Sequence, residues 1–233
     1  MKWFLMGIAF LLCMAFVVLT KYEDRKAIRD IDLAVTVKIQ ESIDTSSRLR
    51  MAALIGNVFE GAGLLGGPVT TSLAVVVLSG YRFLKSKRGW KRWMVFVIPL
   101  SFAVIVVVEI LAKAVVHHPP PPFFMIKNPV STFPKYHVSE EFSFPSGHAA
   151  RAVFLGILFY SQFIIHNSLF KRLTLRMLAV TGIVGYIILV SVSRIYLGHH
   201  WFSDVAGGLL LGSAVGVLTW AILPPYNKPT MSD

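Results

Sequence analysis

The chain has 233 residues, 55% of them hydrophobic and 15% charged, with a formal net charge of +11. Its apolar residues fall in long blocks instead of the short amphipathic spacings of a soluble core, which excludes an ordinary water-soluble globular domain. The basic excess collects in short connections beside those blocks, notably Arg82, Lys85, Lys87, Arg88, Lys91 and Arg92, so it marks membrane topology and no nucleic-acid surface is expected.

In chain order, windows with few or no charges, several close to the roughly 20 residues a spanning helix needs, run from Trp3 to Thr20, Gly61 to Tyr81, Trp93 to Val108 (extending to Val116), Ala152 to Ile165, Met177 to Ser193 and Val205 to Tyr226. The expectation is an all-α, integral membrane six-helix bundle forming one domain over residues 1–233. Within it, residues 1–60 make an N-terminal span and an interfacial segment, and residues of about 91–224 form the motif-bearing core. Lys2 and the apolar run behind it resemble a signal peptide, but no Ala-x-Ala cleavage site precedes Lys21, so the first span is read as retained. Cys13 is the only cysteine, which rules out an intrachain disulfide.

With the Arg82–Arg92 connection on the cytoplasmic side, alternation places the Lys171, Arg172 and Arg176 connection and both termini there too. Residues 21–60, 117–147 and 194–200 then lie outside. The first of these mixes acidic and basic residues and is read as a connecting interfacial helix. Gly61-Ala-Gly-Leu-Leu-Gly66 matches a dinucleotide fingerprint, yet no strand precedes it and Pro68 follows. It is better explained by close helix approach or by a break at the start of span two. Pro119–Pro122 stops the preceding helix and opens a loop, residues 117–143, whose Phe123, Phe124, Phe133 and Tyr136 are expected to cover whatever lies beneath.

Polar groups at membrane depth are costly and therefore mark candidate sites. Three islands occur, all at the outside ends of spans. Lys113 closes span three, with Glu109 one turn before it, where the two could simply neutralise each other. Phe144-Pro-Ser-Gly-His148 opens span four. There the amides of Ser146 and Gly147 at a helix N-terminus suit an anion, above all phosphate, and His148 suits proton transfer; a capping serine beside a chance histidine is the plainer alternative. In Ser193-Arg-Ile-Tyr-Leu-Gly-His-His-Trp-Phe-Ser-Asp204, Arg194 ends span five. His200 and Asp204, four residues apart, are expected to stack on one face of the helix beginning span six. The carboxylate would accept a hydrogen bond from Nδ1–H and leave Nε2 free as a nucleophile. His199 is rotated away with no acidic residue four positions on. The ladder continues through Gly208, Gly212 and Gly216, a face that can press against a neighbour. Lysine, arginine, a helix N-terminus and two histidines on one membrane face suit a phosphate group, and the economical chemistry is metal-free phosphoryl transfer through a phosphohistidine, with no cofactor.

At these residues the sequence resembles the type 2 phosphatidic acid phosphatase superfamily, whose fold is shared with vanadium haloperoxidases and glucose-6-phosphatase. That family's signature is K-x6-R-P, then P-S-G-H, then S-R-x5-H-x3-D. Pro145–His148 matches the second part, and Ser193, Arg194, His200 and Asp204 match the third. The first part departs: counting from Lys113, the arginine position holds Pro120, with Pro121 as expected. His118, His117, Lys127 and Arg151 are the candidates for the missing phosphate donor. The resemblance implies that His200 attacks phosphorus, Asp204 orients it, and His148 protonates the leaving oxygen and then helps activate water. It also implies that Lys113, Arg194, Ser146 and the Gly147 amide hold the phosphoryl oxygens. The expected substrate is a lipid-linked phosphate or diphosphate whose tail stays in the bilayer, handled at the extracytoplasmic face. The alternatives are a lipid phosphotransferase with the same intermediate and, because of Pro120, a noncatalytic lipid-phosphate binder.

Overall fold

The computed structural model describes residues 1–46, 49–86, 89–127, 142–165 and 168–223. Helices dominate the described residues: α1 (Lys2–Tyr22), α2 (Lys26–Ser46), α3 (Leu49–Gly66), α4 (Pro68–Lys85), α5 (Trp90–Trp93), α6 (Val97–Val115), α7 (Gly147–Phe159), α8 (Leu173–Tyr196) and α9 (Phe202–Ile222). Four segments are long and apolar enough to cross a bilayer, Lys2–Tyr22, Met94–Val115, Leu173–Tyr196 and Phe202–Ile222, and the bent pair α3–α4 makes up to five. The window expected as span four is less regular. Helix α7 has 13 residues and gains length only through the five-residue π-helical stretch Tyr160–Ile164.

The second window is also built differently from the expectation. Gly61–Gly66 lies inside α3, which began at Leu49, and the break comes after it: Pro68 has no N–H to continue the ladder, and α3 and α4 meet at 47°.

Helix α9 is the axis of the bundle. Half of its most apolar window is buried (50%), against 11% for α1 and for α8, and α7 and α1 pack most extensively against it. Glycine permits this. A Cβ at Gly208 would overlap the Ser146 carbonyl, one at Gly212 the Ala150 carbonyl, and one at Gly216 would press on Ile157. The expected ladder therefore exists, and the neighbour it fits is α7. On the adjoining face, the Phe144 ring covers Gly207 and stacks on Phe16 of α1 at 6.0 Å. Val75, Ile98, Ile105, Phe154, Leu158 and Leu211 fill the space between α4, α6, α7 and α9. Outward-facing Leu73, Val76, Leu100, Val107, Met177 and Ile188 stay exposed, the pattern of a lipid-facing belt.

Helix α2 lies across the end of the bundle where α6 and α8 finish and α7 and α9 begin. It presents its polar residues inward: Asp32, Thr36 and Gln40, at four-residue intervals, are 2%, 0% and 8% exposed, whereas Ile31, Leu33 and Val37 face out. The Gln40 amide donates to the carbonyls of Met125 (2.8 Å) and Tyr196 (2.9 Å). The Asp44 carboxylate takes Lys127 Nζ at 2.6 Å and the Tyr196 hydroxyl at 3.0 Å.

Candidate active site

The loop that leaves α6 closes on itself before α7 starts: the Ser143 N–H donates to the His118 carbonyl at 2.9 Å. Phe144–Pro145 is a cis peptide, and the Ser146 N–H donates to the Asp204 carbonyl at 2.8 Å. That bond ties the N-terminus of α7 directly to the first turn of α9. Ser146 is the N-cap of α7, but its hydroxyl caps nothing; Oγ is buried without a hydrogen-bond partner among the described residues. His148, one residue into α7, lies within electrostatic range of Arg194, Arg151, His200 and His199.

Between α8 and α9 the chain turns at Gly198, where φ is +71° and a Cβ would overlap the Met125 carbonyl, so two independent constraints demand glycine. The His199 and His200 amides both donate to the Arg194 carbonyl, at 3.0 and 3.2 Å. Helix α9 begins at Phe202, and His200 precedes its N-cap, Trp201. The expected stacking of His200 over Asp204 on a helical face is therefore not the geometry found. Asp204 instead folds back as a capping carboxylate. Its Oδ2 accepts the Trp201 N–H at 2.8 Å and lies 3.6 Å from His200 Nδ1, which has no hydrogen bond within normal range among the described residues. Capping and pairing draw on the same oxygen, which is why the two residues still meet.

The short partner of Asp204 is a residue expected elsewhere. His118 Nδ1 stands 2.9 Å from Asp204 Oδ1, and its Nε2 stands 3.6 Å from Glu23 Oε2 at the C-terminal end of α1. Both ring nitrogens face carboxylates and the residue is 3% exposed, so His118 does not point a free donor at a phosphate. Burial alone would push the His118 pKa down, but the Asp204 hydrogen bond and the charges of Asp204, Glu23 and Asp32 carry it above its usual value. Beside it, Asp32 accepts the Ser203 N–H and hydroxyl, each at 2.7 Å. Glu23 and Asp32 were missed as site neighbours by sequence reasoning.

The cations divide into two groups. The Arg194 guanidinium leans on Gly63 of α3, where a Cβ would displace it, and its Nε is buried without a partner among the described residues. Glu60 acts on it electrostatically. Thus Gly63 serves close approach, and Gly66 likewise abuts Val190 and His148. Lys113 and Arg151 share one carboxylate: Glu109 Oε1 is 3.4 Å from Lys113 Nζ, and Oε2 is 2.7 Å from Arg151 Nη1. That carboxylate also abuts Gly147, where a Cβ would overlap it. Arg151 further donates to the Gly66 carbonyl at 3.4 Å. Of the remaining donor candidates, His117 packs edge-on against Phe142 and Lys127 is held by Asp44. Phe123 and Phe124 are both 84% exposed, and Phe133 and Tyr136 lie outside the described residues.

Bilayer-length helices with exposed apolar faces, enclosing buried polar groups at one end, define a multi-pass membrane protein. The PAP2 superfamily matches residues 90–228, more than half of the chain, and the protein belongs to that family. Phosphatidylglycerophosphatase B of Bacillus subtilis is 34% identical over 79 residues, covering 34% of this chain and 37% of the relative. A dihydrosphingosine 1-phosphate phosphatase of Schizosaccharomyces pombe is 32% identical over 97 residues, 41% of this chain and 22% of that protein. The chain thus spans well under half the length of these curated relatives. The fold is similar to the crystal structure of a transmembrane PAP2-type phosphatidylglycerolphosphate phosphatase from Bacillus subtilis, with a TM-score of 0.65 and 20% identity over 91% of this chain and 93% of that one.

Proposed function

We propose that the protein is a membrane phosphatase that hydrolyses a lipid-linked phosphate or diphosphate through a phosphohistidine on His200, without a metal ion. The substrate is of the phosphatidate, phosphatidylglycerophosphate or isoprenyl diphosphate type. The observation that carries this reading is a pair of buried donors, Ser146 Oγ and Arg194 Nε, without partners among the described residues and set around His148 at the start of α7. Leaving such groups unsatisfied costs about 1–3 kcal/mol each, and phosphoryl oxygens at a helix N-terminus would satisfy both. The phosphatase relatives supply the matching chemistry.

In this mechanism His200 Nε2 attacks phosphorus and the bond to the leaving oxygen breaks as His148 protonates that oxygen. Asp204 accepts a hydrogen bond from the Nδ1–H of the imidazolium so formed, and the ring keeps that proton. His148 then takes a proton from water, whose oxygen attacks phosphorus and breaks the P–N bond, releasing phosphate and restoring His200. Lys113, Arg194, the Ser146 hydroxyl and the Gly147 amide stabilise the equatorial oxygens. Arg151 stands in for the arginine that Pro120 replaces, once substrate phosphate competes with Glu109 for it. The chain crosses the membrane six times, α7 with its π-helical stretch being the span beyond the bilayer-length set. Both termini are cytoplasmic and the site opens to the extracytoplasmic face, where the lipid tail need not leave the bilayer.

Pro120 favours one second reading, a lipid-phosphate binder without turnover. The deciding experiment measures phosphate release by purified protein from phosphatidate, phosphatidylglycerophosphate and an isoprenyl diphosphate, for wild type, His200→Ala and His199→Ala. Loss of several decades is expected for His200→Ala, and on the order of ten-fold for His199→Ala. Activity surviving His200→Ala removes the nucleophile; binding without release establishes the binder; phosphate recovered on an acceptor other than water makes the enzyme a transferase.

A further inference from the structure

Four ionisable side chains form one buried chain across three parts of the molecule: Glu23 at the end of α1, His118 after α6, and Asp204 and His200 around the start of α9. They are 6%, 3%, 0% and 5% exposed. The contacts run 3.6 Å from Glu23 to His118, 2.9 Å from His118 to Asp204 and 3.6 Å from Asp204 to His200. Asp204 has two oxygens with divided duties. Oδ1 belongs to His118, while Oδ2 takes the Trp201 N–H and faces His200.

We propose that His118 is a positioning residue of the hydrolytic site, holding Asp204 Oδ1 as an imidazolium anchored by Glu23, so that Oδ2 is fixed toward His200. The inference rests on the phosphatase reading above. Its argument is one of satisfaction. A neutral imidazole that donates Nδ1–H to Asp204 turns an Nε2 lone pair toward the Glu23 carboxylate, setting acceptor against acceptor in a buried site. A second proton on Nε2 makes both contacts attractive. The other charged groups agree: the carboxylates of Glu23 on α1, Asp32 on α2 and Asp204 on α9 all favour the cation, and His200 lies beyond Asp204. Without His118, only the Trp201 N–H on Oδ2 would hold the Asp204 carboxylate against rotation about Cβ–Cγ, and the charge would lose its short partner on Oδ1. The N-terminal span, which lies outside the region matched by the family, thereby becomes part of the site through Glu23.

The test compares kcat and KM for phosphate release by the full chain, across pH, for wild type, His118→Ala, His118→Asn and Glu23→Gln, with thermal melts to score folding. An asparagine Nδ2 occupies the place of Nδ1 and keeps the bond to Asp204. His118→Ala is expected to lower kcat by roughly 10- to 100-fold, the effect of losing one charge-assisted hydrogen bond, with KM changed much less. His118→Asn should restore most of that loss. Glu23→Gln, which removes one of the charges favouring the cation, should move an alkaline limb of the kcat profile to lower pH, and His118→Asn should lack that limb. Wild-type phosphate release that His118→Ala leaves intact, or alters only through KM, overturns the positioning role alone. A wild type that binds lipid phosphate but never releases it overturns the phosphatase reading and this role together.

Discussion

Replacing Gly212 by alanine places a methyl group between the two helices that hold the site together. The added Cβ would stand 2.8 Å from the Ala150 carbonyl carbon and 2.6 Å from Val153 Cγ1, with the Ala150 oxygen closer still. Ordinary carbon contacts begin near 3.5 Å, so the helices must separate by about 1 Å. The Val153 methyl can rotate aside, but Ala150 is main chain and moves only with α7. Overpacking of this kind costs about 1–3 kcal/mol, offset by up to about 1 kcal/mol because alanine is the better helix former. A net loss of about 1–2 kcal/mol lowers the melting temperature by about 2–8 °C for a chain of this size. The functional effect should be larger. Ser146, Gly147 and His148 lie at the start of the same helix, and a misplacement of about 1 Å in a catalytic site can cost on the order of 100-fold. The controls are Gly182→Ala and Gly185→Ala on α8, where no atom of the described residues lies within 4 Å of the new methyl. Tryptophan fluorescence melts in detergent, with phosphate release on the same preparations, measure both effects. A Gly212→Ala protein with wild-type melting and turnover, or a Gly182→Ala protein equally damaged, refutes the claim that the α7–α9 contact sets the site.

Glu109→Ala leaves the buried Arg151 and nearby Lys113 without their shared carboxylate, and should destabilise by about 3–5 kcal/mol, recovered in large part by adding Arg151→Met; thermal melts of the single and double variants decide. Burial pushes the Asp32 carboxyl above its ordinary value of 3.8, although both Ser203 hydrogen bonds favour the charged form. A raised native pKa means stability that is complete below the unfolded value and lost as pH rises through the native one. Asp32→Asn, which cannot titrate, should therefore lose less melting temperature than wild type as pH rises from about 4, and an identical pH profile would refute the assignment. Gly198→Ala forces a side chain into the left-handed region, at about 1–2 kcal/mol before the overlap with Met125 is counted. It should therefore lower both melting temperature and turnover.

The residues proposed to carry the chemistry stand out in the sequence because each sits at a helix end, where a histidine, an arginine or a Pro-Ser-Gly turn is out of place in an apolar run. The glycine ladder was legible for the same reason. Its i, i+4 spacing puts Gly208, Gly212 and Gly216 on one face, and only the identity of the partner helix needed the structure. The relation of His200 to Asp204 was read from a helical period that does not apply, since α9 begins after His200. Long-range ion pairs were not legible. Nothing local in the sequence distinguishes Glu23 from Asp24, or His118 from His117, yet in each pair one member is buried in the Glu23–His118–Asp204 chain. Arg151 looks like a free cation until α6 brings Glu109 to it.

Helix α2 shows why the interfacial segment was underread. Its period was available: Asp32, Thr36, Gln40 and Asp44 recur every four residues, and Ile31, Leu33 and Val37 fall on the other side. In a soluble protein that pattern turns the apolar face inward. Beside a bilayer the driving force differs, because lipid accepts apolar side chains as readily as a protein core does, whereas polar groups must find partners within the protein. The stripe accordingly faces the bundle, where Asp32 holds the first turn of α9, Gln40 holds the carbonyls of Met125 and Tyr196, and Asp44 holds Lys127. Each contact braces one of the segments that border His200. The helix that composition marks as a mere connection is, by its polar face, the outer support of the site.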